Sequence, residues 1–255
     1  MPVYRVYAVK FAGPLTSSGA FLMWFKEWDR TVRRNYYLWC LRGDGPTVVV
    51  DAGVAPSHPA AGGLANYLSP ARALERLGVR ADQVEHLVLS HLHWDHASGL
   101  ELFPRARVYV QEREFRFWIH DPLARRPPFA HLADAKAHAL LASLEGSGRL
   151  ALLQGDQEIL PGVRCLLAPG HSVGLQAVAV QTEAGTAVLG SDCGHTFRNY
   201  REDWPSAIIT DLVAWMHSMD KLRAAASRPE LLFPGHDRLL RDDYPLVAED
   251  VTLLA

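Results

Sequence analysis

The sequence predicts an α/β fold: a sandwich of two β-rich halves, each followed by a helix. Three observations carry that expectation. Short β-branched runs recur along the whole chain, bounded by glycine, proline and acidic residues. Segments with apolar residues at helical spacing lie between them. The strand-rich stretches fall in both halves although no repeat of fixed period is present, which suggests a pseudo-duplicated sandwich.

In chain order, residues 3–9, 36–41, 47–50, 86–89 and 107–110 read as strands of the first half. Residues 163–167, 176–181, 186–189 and 231–233 repeat the pattern in the second. Ser69 and Pro70 ahead of ARALERL, closed by Gly78, supply an N-cap, a proline at the first helical position and a C-terminal glycine stop. Residues 111–119 and 134–144 also read as helical. The longest helix is expected over 205–226, where Ile208, Ile209, Leu212, Trp215, Met216, Met219 and Leu222 keep a helical period. The Gly-, Pro- and Ala-rich stretch 53–70 reads as a loop, and it is the one shift of composition. One domain over residues 1–255 is therefore expected.

With 49% hydrophobic and 21% charged residues, the chain has the composition of a globular protein. Its 26 Lys+Arg against 28 Asp+Glu give a formal charge of -2, which argues against nucleic acid as a partner, because phosphate binding needs a concentrated positive field. Cys40, Cys165 and Cys193 are odd in number and have no C-x-x-C spacing, so they read as reduced thiols. No secretory leader and no apolar run of about 18 residues is apparent, so a cytoplasmic location without membrane association is expected.

Histidine is the unusual entry in the composition, with 12 residues. The motif His91-Leu92-His93-Trp94-Asp95-His96 follows the apolar strand HLVLS directly. Imidazole and carboxylate suit a borderline divalent metal such as zinc. Four ligand-type side chains in six residues cannot all face one way on a regular strand or helix, but they can converge from a tight turn between the two. Three more ligand-type residues stand at glycine-marked strand ends: His171 in PGHS, Asp192 in GSD and His236 in PGHD. The seven residues His91, His93, Asp95, His96, His171, Asp192 and His236 are too many for one tetrahedral ion, and they suit two metals sharing a bridging group. His58, His86, His120, His131, His138 and His217 are read as ordinary surface, capping or packing histidines.

HLHWDH, with PGH, GSD and PGHD downstream in that order, resembles the metallo-β-lactamase superfamily, and the likeness runs over residues 36–237. Within it the chain is most similar to the N-acyl homoserine lactonase group, through WCLRGDGPTVVVDAG, LSHLHWDHASGLELFP, VYVQEREF, LQGDQEILPGVRCLLAPGHSVG and LLFPGHD. The resemblance implies an αββα sandwich of the metallo-β-lactamase type, with the metals at an edge between two sheets. It assigns His91, His93 and His171 to one ion and Asp95, His96 and His236 to the other, with Asp192 bridging. It places Asp51, in VVVDAG, beneath the site as a residue that orients ligands.

The implied activity is opening of a lactone ring with two divalent ions, zinc first and manganese, cobalt or iron as alternatives. Asp95 would also move a proton. The small-molecule lactone is the implied partner, and a homodimer is compatible with the likeness. The chain departs from the better-known homoserine lactonases three residues after the bridging aspartate, where their tyrosine is replaced by His195. An imidazole there can donate to an oxyanion or protonate a leaving alkoxide, so His195 joins Asp95 as a candidate catalytic residue. Cys193 reads as a small packing residue. Phe21, Trp24, Phe25 and Trp28 suit either a pocket wall or the core. Alternative activities within the superfamily are hydrolysis of 4-pyridoxolactone, a glyoxalase II-like thioesterase and a mono-iron persulfide dioxygenase-like reaction.

Overall fold

A computed structural model describes residues 2–255. Among them thirteen strands form two sheets. The first sheet takes β1 (Tyr4–Ser18), β2 (Thr31–Gly43), β3 (Val48–Val50), β4 (His86–Val88), β5 (Arg107–Gln111) and β6 (Leu150–Leu153), with β12 (Leu246–Ala248) and β13 (Val251–Leu253) added beside β1. The second takes β7 (Gln157–Leu160), β8 (Val163–Leu167), β9 (Gln176–Thr182), β10 (Gly185–Ser191) and β11 (Leu232–Pro234). Strands β1 to β3 pair antiparallel and β3 to β6 parallel. In the second sheet only β10 and β11 run parallel.

The period-2 alternation of the strands sorts the side chains into layers. Tyr37, Trp39 and Leu41 of β2 face Val178 and Val180 of β9 and Ala187 and Leu189 of β10 in a core between the sheets. Tyr36, Leu38 and Cys40, one residue out of phase, pack under the helices on the other face of the first sheet. Ala177, Ala179 and Val188 turn outward to meet Trp215, Met219 and Leu222 of the helix Leu212–Ala225. The result is helix, sheet, sheet, helix: the αββα order implied by the family resemblance. Among the described residues no helix is long and apolar enough to cross a membrane, and all three cysteines are free and buried.

Three expected elements change. The strand begun at Tyr4 runs on to Ser18, because β2 supplies a partner along its whole length. Gln111 closes β5; a helical turn occupies only Glu112–Phe115, and Arg116–His120 widen into a π turn. The helix expected from residue 205 begins at Leu212, capped by Asp211, whose carboxylate accepts from Ala214 N at 2.9 Å. The segment before it is drawn away from helical bonding by its neighbours. Ile208 O accepts from His171 Nδ1, and the amides of Thr210 and Asp211 donate to Gly170 O. Strands β6, β7, β12 and β13, missing from the sequence reading, are short and lie at or beside the sheet edges, where alternation is too brief to register.

Trp215 joins the outer helix to the functional edge. It is 1% exposed, its Nε1 donates to Cys193 O at 2.6 Å, and a Cβ on Gly170 (φ +139) would run into it. Trp215→Ala should therefore lower the unfolding free energy by about 3–5 kcal/mol, the cost of a large core cavity. Urea unfolding followed by far-UV circular dichroism checks the value, and a loss below about 1 kcal/mol would show that this helix is not part of the cooperative core.

Candidate metal centre

The C-terminal ends of β3, β4, β8, β10 and β11 all reach one edge of the sandwich, and the chain turns there with a polar side chain at each turn. His91 and His93 point inward while Leu92 between them is fully buried in the helical-layer core. Asp95 and His96 follow in the short helix Trp94–Ala97, whose N-cap position is His93. His171 stands in the turn after β8, Asp192 directly after β10 and His236 directly after β11. A Cβ on Gly235 would collide with Asp192 Oδ1, so glycine is what lets these last two turns close on each other.

All seven sequence-predicted residues meet in one buried cluster. His93 Nδ1 lies 3.0 Å from His91 Nε2 and 3.1 Å from His171 Nε2, and the three atoms are all within 4.8 Å of one another. Asp95 Oδ2 is 3.6 Å from both His96 Nε2 and His236 Nε2. Asp192 stands between the two triads, with Oδ2 at 3.5 Å from His171 Nε2 and 3.6 Å from His96 Nε2, and Oδ1 at 3.1 Å from His236 Nε2. His195 joins them, its Nε2 3.4 Å from Asp192 Oδ2. The other six histidines stay outside: His138 Nε2 donates to Leu92 O, His58 stacks on Trp94, His86 meets Tyr109, and His120, His131 and His217 are exposed.

The rings are oriented from behind. His96 Nδ1 is 2.8 Å from Asp51 Oδ2, His171 Nδ1 bonds Ile208 O, His236 Nδ1 bonds Asn35 O and His91 Nδ1 meets Ser90 Oγ. With Nδ1–H spent on an outer oxygen, Nε2 keeps its lone pair for the interior. That leaves His96 Nε2, His236 Nε2 and Asp192 Oδ1 buried with no hydrogen-bond partner. Buried polar atoms are rarely left so, and a cluster of lone pairs facing one another is destabilising unless a cation sits among them.

The protonation chemistry agrees. Burial, reinforced by neighbouring imidazoles, holds His91 and His93 well below the usual histidine range, in the neutral form that ligates. Burial alone would raise the Asp192 carboxyl, but His195, His236 and His96 pull it well down. Burial would likewise depress His96, yet Asp95, Asp192 and Asp51 reverse the sign, so this carboxylate-rich triad holds a proton in the place a metal cation would take. Imidazole nitrogens and carboxylate oxygens in two adjoining triads fit a pair of borderline divalent ions.

One contributor has no metal-ligand signature in the sequence. Glu114, in VYVQEREF, is 0% exposed and accepts from Leu92 N, Gly174 N, Ser172 Oγ and Trp118 Nε1 at 2.7–3.0 Å. It thereby ties the loop carrying His91 and His93 to the loop carrying His171, and Trp118 sets its ring edge-to-face on His93. The sequence signal was faint: a glutamate on the inward side of a helical turn, four residues before a tryptophan. Cys193 packs against Met219, and burial pushes its thiol up to about 12, which leaves it unreactive. Phe25 and Trp28 are exposed and Phe21 and Trp24 half-buried, so this aromatic run is surface rather than core.

The chain belongs to the metallo-β-lactamase superfamily: the profile of the Metallo-beta-lactamase superfamily matches residues 31–236. Among curated proteins it is 29% identical over 167 residues to an N-acyl homoserine lactonase of Bacillus thuringiensis, a match covering 64% of this chain and 60% of that one. It is 30% identical over 169 residues to an N-acyl homoserine lactonase of Agrobacterium fabrum, covering 65% and 61%. The matched stretch thus spans about three fifths of those relatives' length. Two solved structures share the fold: a quorum-quenching N-acyl homoserine lactone lactonase, with TM-score 0.79, 23% identity and coverage of 97% and 98%, and a dizinc quorum-quenching lactonase with a product bound, with TM-score 0.70, 16% identity and coverage of 91% and 86%.

Glu114→Gln keeps the shape but replaces one acceptor oxygen by a donor facing donors. Zinc affinity, measured by competition with a chromophoric chelator, should fall by about 10–100-fold, as for other residues that orient ligands. Unchanged affinity would confine Glu114 to fold stability.

Proposed function

We propose that this chain is a dinuclear metal-dependent hydrolase that opens a lactone ring, with N-acyl homoserine lactones as the leading substrate class. The observation that carries this reading is the pair of triads sharing Asp192, all with lone pairs turned inward. The homoserine-lactonase relatives supply the substrate class. In this reading His91, His93 and His171 hold one ion, Asp95, His96 and His236 the other, and Asp192 spans both. Zinc suits the imidazole-rich set best, with manganese, cobalt or iron able to replace it. A divalent pair of this kind polarises an ester carbonyl and brings the pKa of water towards neutrality.

The remaining steps belong to the chain. Asp95, less enclosed than the other acidic residue, takes and returns the proton of the attacking water. His195 donates to the ring oxygen as it leaves. Its Nδ1 has no protein partner, unlike the outward nitrogens of His96, His171 and His236, so its ring is not locked in a ligand's orientation. Burial, with nearby imidazoles and Arg34, holds it neutral, a form with one N–H to give.

We also read residues 1–255 as one domain, because β1 pairs with both β2 and the terminal β13. Three free buried thiols favour a reducing cytoplasm. A homodimer rests on the likeness to the lactonases alone.

Purified protein should carry close to two divalent ions per chain by elemental analysis, and a pH-drop assay on N-hexanoyl-homoserine lactone should register turnover that chelation abolishes and zinc or manganese restores. A single iron with no second ion taken up on reconstitution would favour the dioxygenase-like alternative, and undiminished turnover in metal-free protein would end the metal reading.

His195→Ala should lower kcat by roughly 5- to 30-fold at full metal occupancy with a smaller change in KM, since one donor among several is lost. Metal content is measured alongside the kinetics. Loss of an ion in this variant would make His195 a ligand, and an unchanged kcat would make it packing.

A further inference from the structure

The cation Arg34 stands at the mouth of the metal centre without a counter-ion. It lies on β2 and is 8% exposed. Its Nε donates to Ser17 Oγ at 2.8 Å, but among the described residues no carboxylate oxygen comes within 4.0 Å of its nitrogens. Of the half-buried arginines, Arg76 pairs with Glu249 and Asp250, Arg198 with Glu27 and Glu202, and Arg241 with Asp242 and Asp250, while Arg149 is satisfied by the carbonyls of Ala106 and Phe103. The two terminal nitrogens of Arg34 are not among the buried unpartnered atoms, so the fork reaches solvent at the mouth of the centre, where an anionic ligand can meet it.

Its surroundings say where that ligand sits. The guanidinium carbon lies 4.8 Å from the Tyr36 ring centroid and 5.5 Å from that of Phe21. Tyr36 packs edge-on against His236 and Phe21 edge-on against His195. Two aromatic rings therefore flank the cation, and beyond Ser17 and the neighbouring Tyr36 hydroxyl its fork has no protein hydrogen-bond partner among the described residues. The backbone is pinned as well: Arg34 bridges Asp237, and Asn35 exchanges bonds with His236 through both its main-chain groups. The fork is thus fixed relative to the centre rather than hung from a mobile loop, and Phe21 beside it offers an apolar wall.

We propose that Arg34 binds a carboxylate on the substrate, so that the preferred lactones carry an anionic group away from the scissile ring. This rests on the lactonase reading and narrows it. An Arg fork recognises carboxylate through two parallel charge-assisted hydrogen bonds. A carboxylate on the substrate gains those bonds, whereas a neutral analogue leaves the fork to solvent, which discriminates between the two.

N-succinyl- and N-butanoyl-homoserine lactone differ only in a terminal carboxylate against a methyl group, so their ratio of kcat/KM isolates the interaction. In the metal-loaded wild type the ratio should favour the succinyl compound by about tenfold or more, mostly through KM, as a hydrogen-bonded charge pair is worth. The preference should shrink in 0.5 M salt, where a partly exposed pair is screened. In R34Q it should collapse to within about threefold of unity, while R34K, which keeps the charge but not the fork, should fall between. A wild-type ratio near one, or a succinyl preference equal in R34Q, overturns the proposal, and the first of these needs no variant to fold. Calorimetry with the ring-opened N-succinyl- and N-butanoyl-homoserines reads the same discrimination without turnover. If neither lactone is opened, the lactonase reading falls. An Arg34-dependent preference in binding then still supports the carboxylate site, and its absence overturns it.

Discussion

The carboxylate of Asp51 takes three hydrogen bonds at once: from Ser90 N at 2.7 Å, from Ser90 Oγ at 2.9 Å and from His96 Nδ1 at 2.8 Å. It stands at the end of β3, fully buried, and its bonds reach the end of β4 and the helix that carries Asp95 and His96. Ser90 passes the constraint on, to His91 Nδ1 and to Ser191 Oγ beside Asp192. One acidic residue therefore aligns the turns of both sheets. Without it the His96 ring, and His91 through Ser90, would lose the partner that orients it.

The arrangement is held against local cost. Asp51 and Ser191 both adopt positive φ, at 64° and 46°, a region that non-glycine residues enter at a cost of about 1–3 kcal/mol each. Glu114 adds a buried carboxyl whose pKa is raised by its burial even though four donors surround it. Such strain persists only where neighbouring structure over-determines it, and here two cores do so. The layer between the sheets fixes the strand ends, and the outer helix, through Trp215, fixes the turns that carry His171 and Asp192. A rigid scaffold with its strain gathered at one edge is what a preformed ligand set requires.

Charge is graded across that edge. At its centre two carboxylates face imidazoles held mostly neutral, a set that attracts cations. At its rim Arg34 and the aromatic run from Phe21 to Trp28 present a cation and apolar surface. The inner set suits a metal, and in the proposed reading the rim suits the organic part of a substrate.

The sequence by itself determined which polar residues gather at this edge, and the layers. Histidine and aspartate at strand-end turns are visible because metal ligation demands those residue types, and alternation along β2, β9 and β10 writes the two faces of each sheet into the chain. What the tertiary structure decided depends on contacts between distant segments. Helical period ran unbroken from 205 to 226, yet His171 and Gly170 claim the groups of Ile208, Thr210 and Asp211 and stop the helix short. Glu114 looks like any surface glutamate until Leu92 and Gly174 fold over it. Arg34 looks like any strand arginine until no acid arrives beside it. Local pattern reports which face a residue takes, whereas hydrogen-bond partners more than twenty residues away are assigned only when the chain closes.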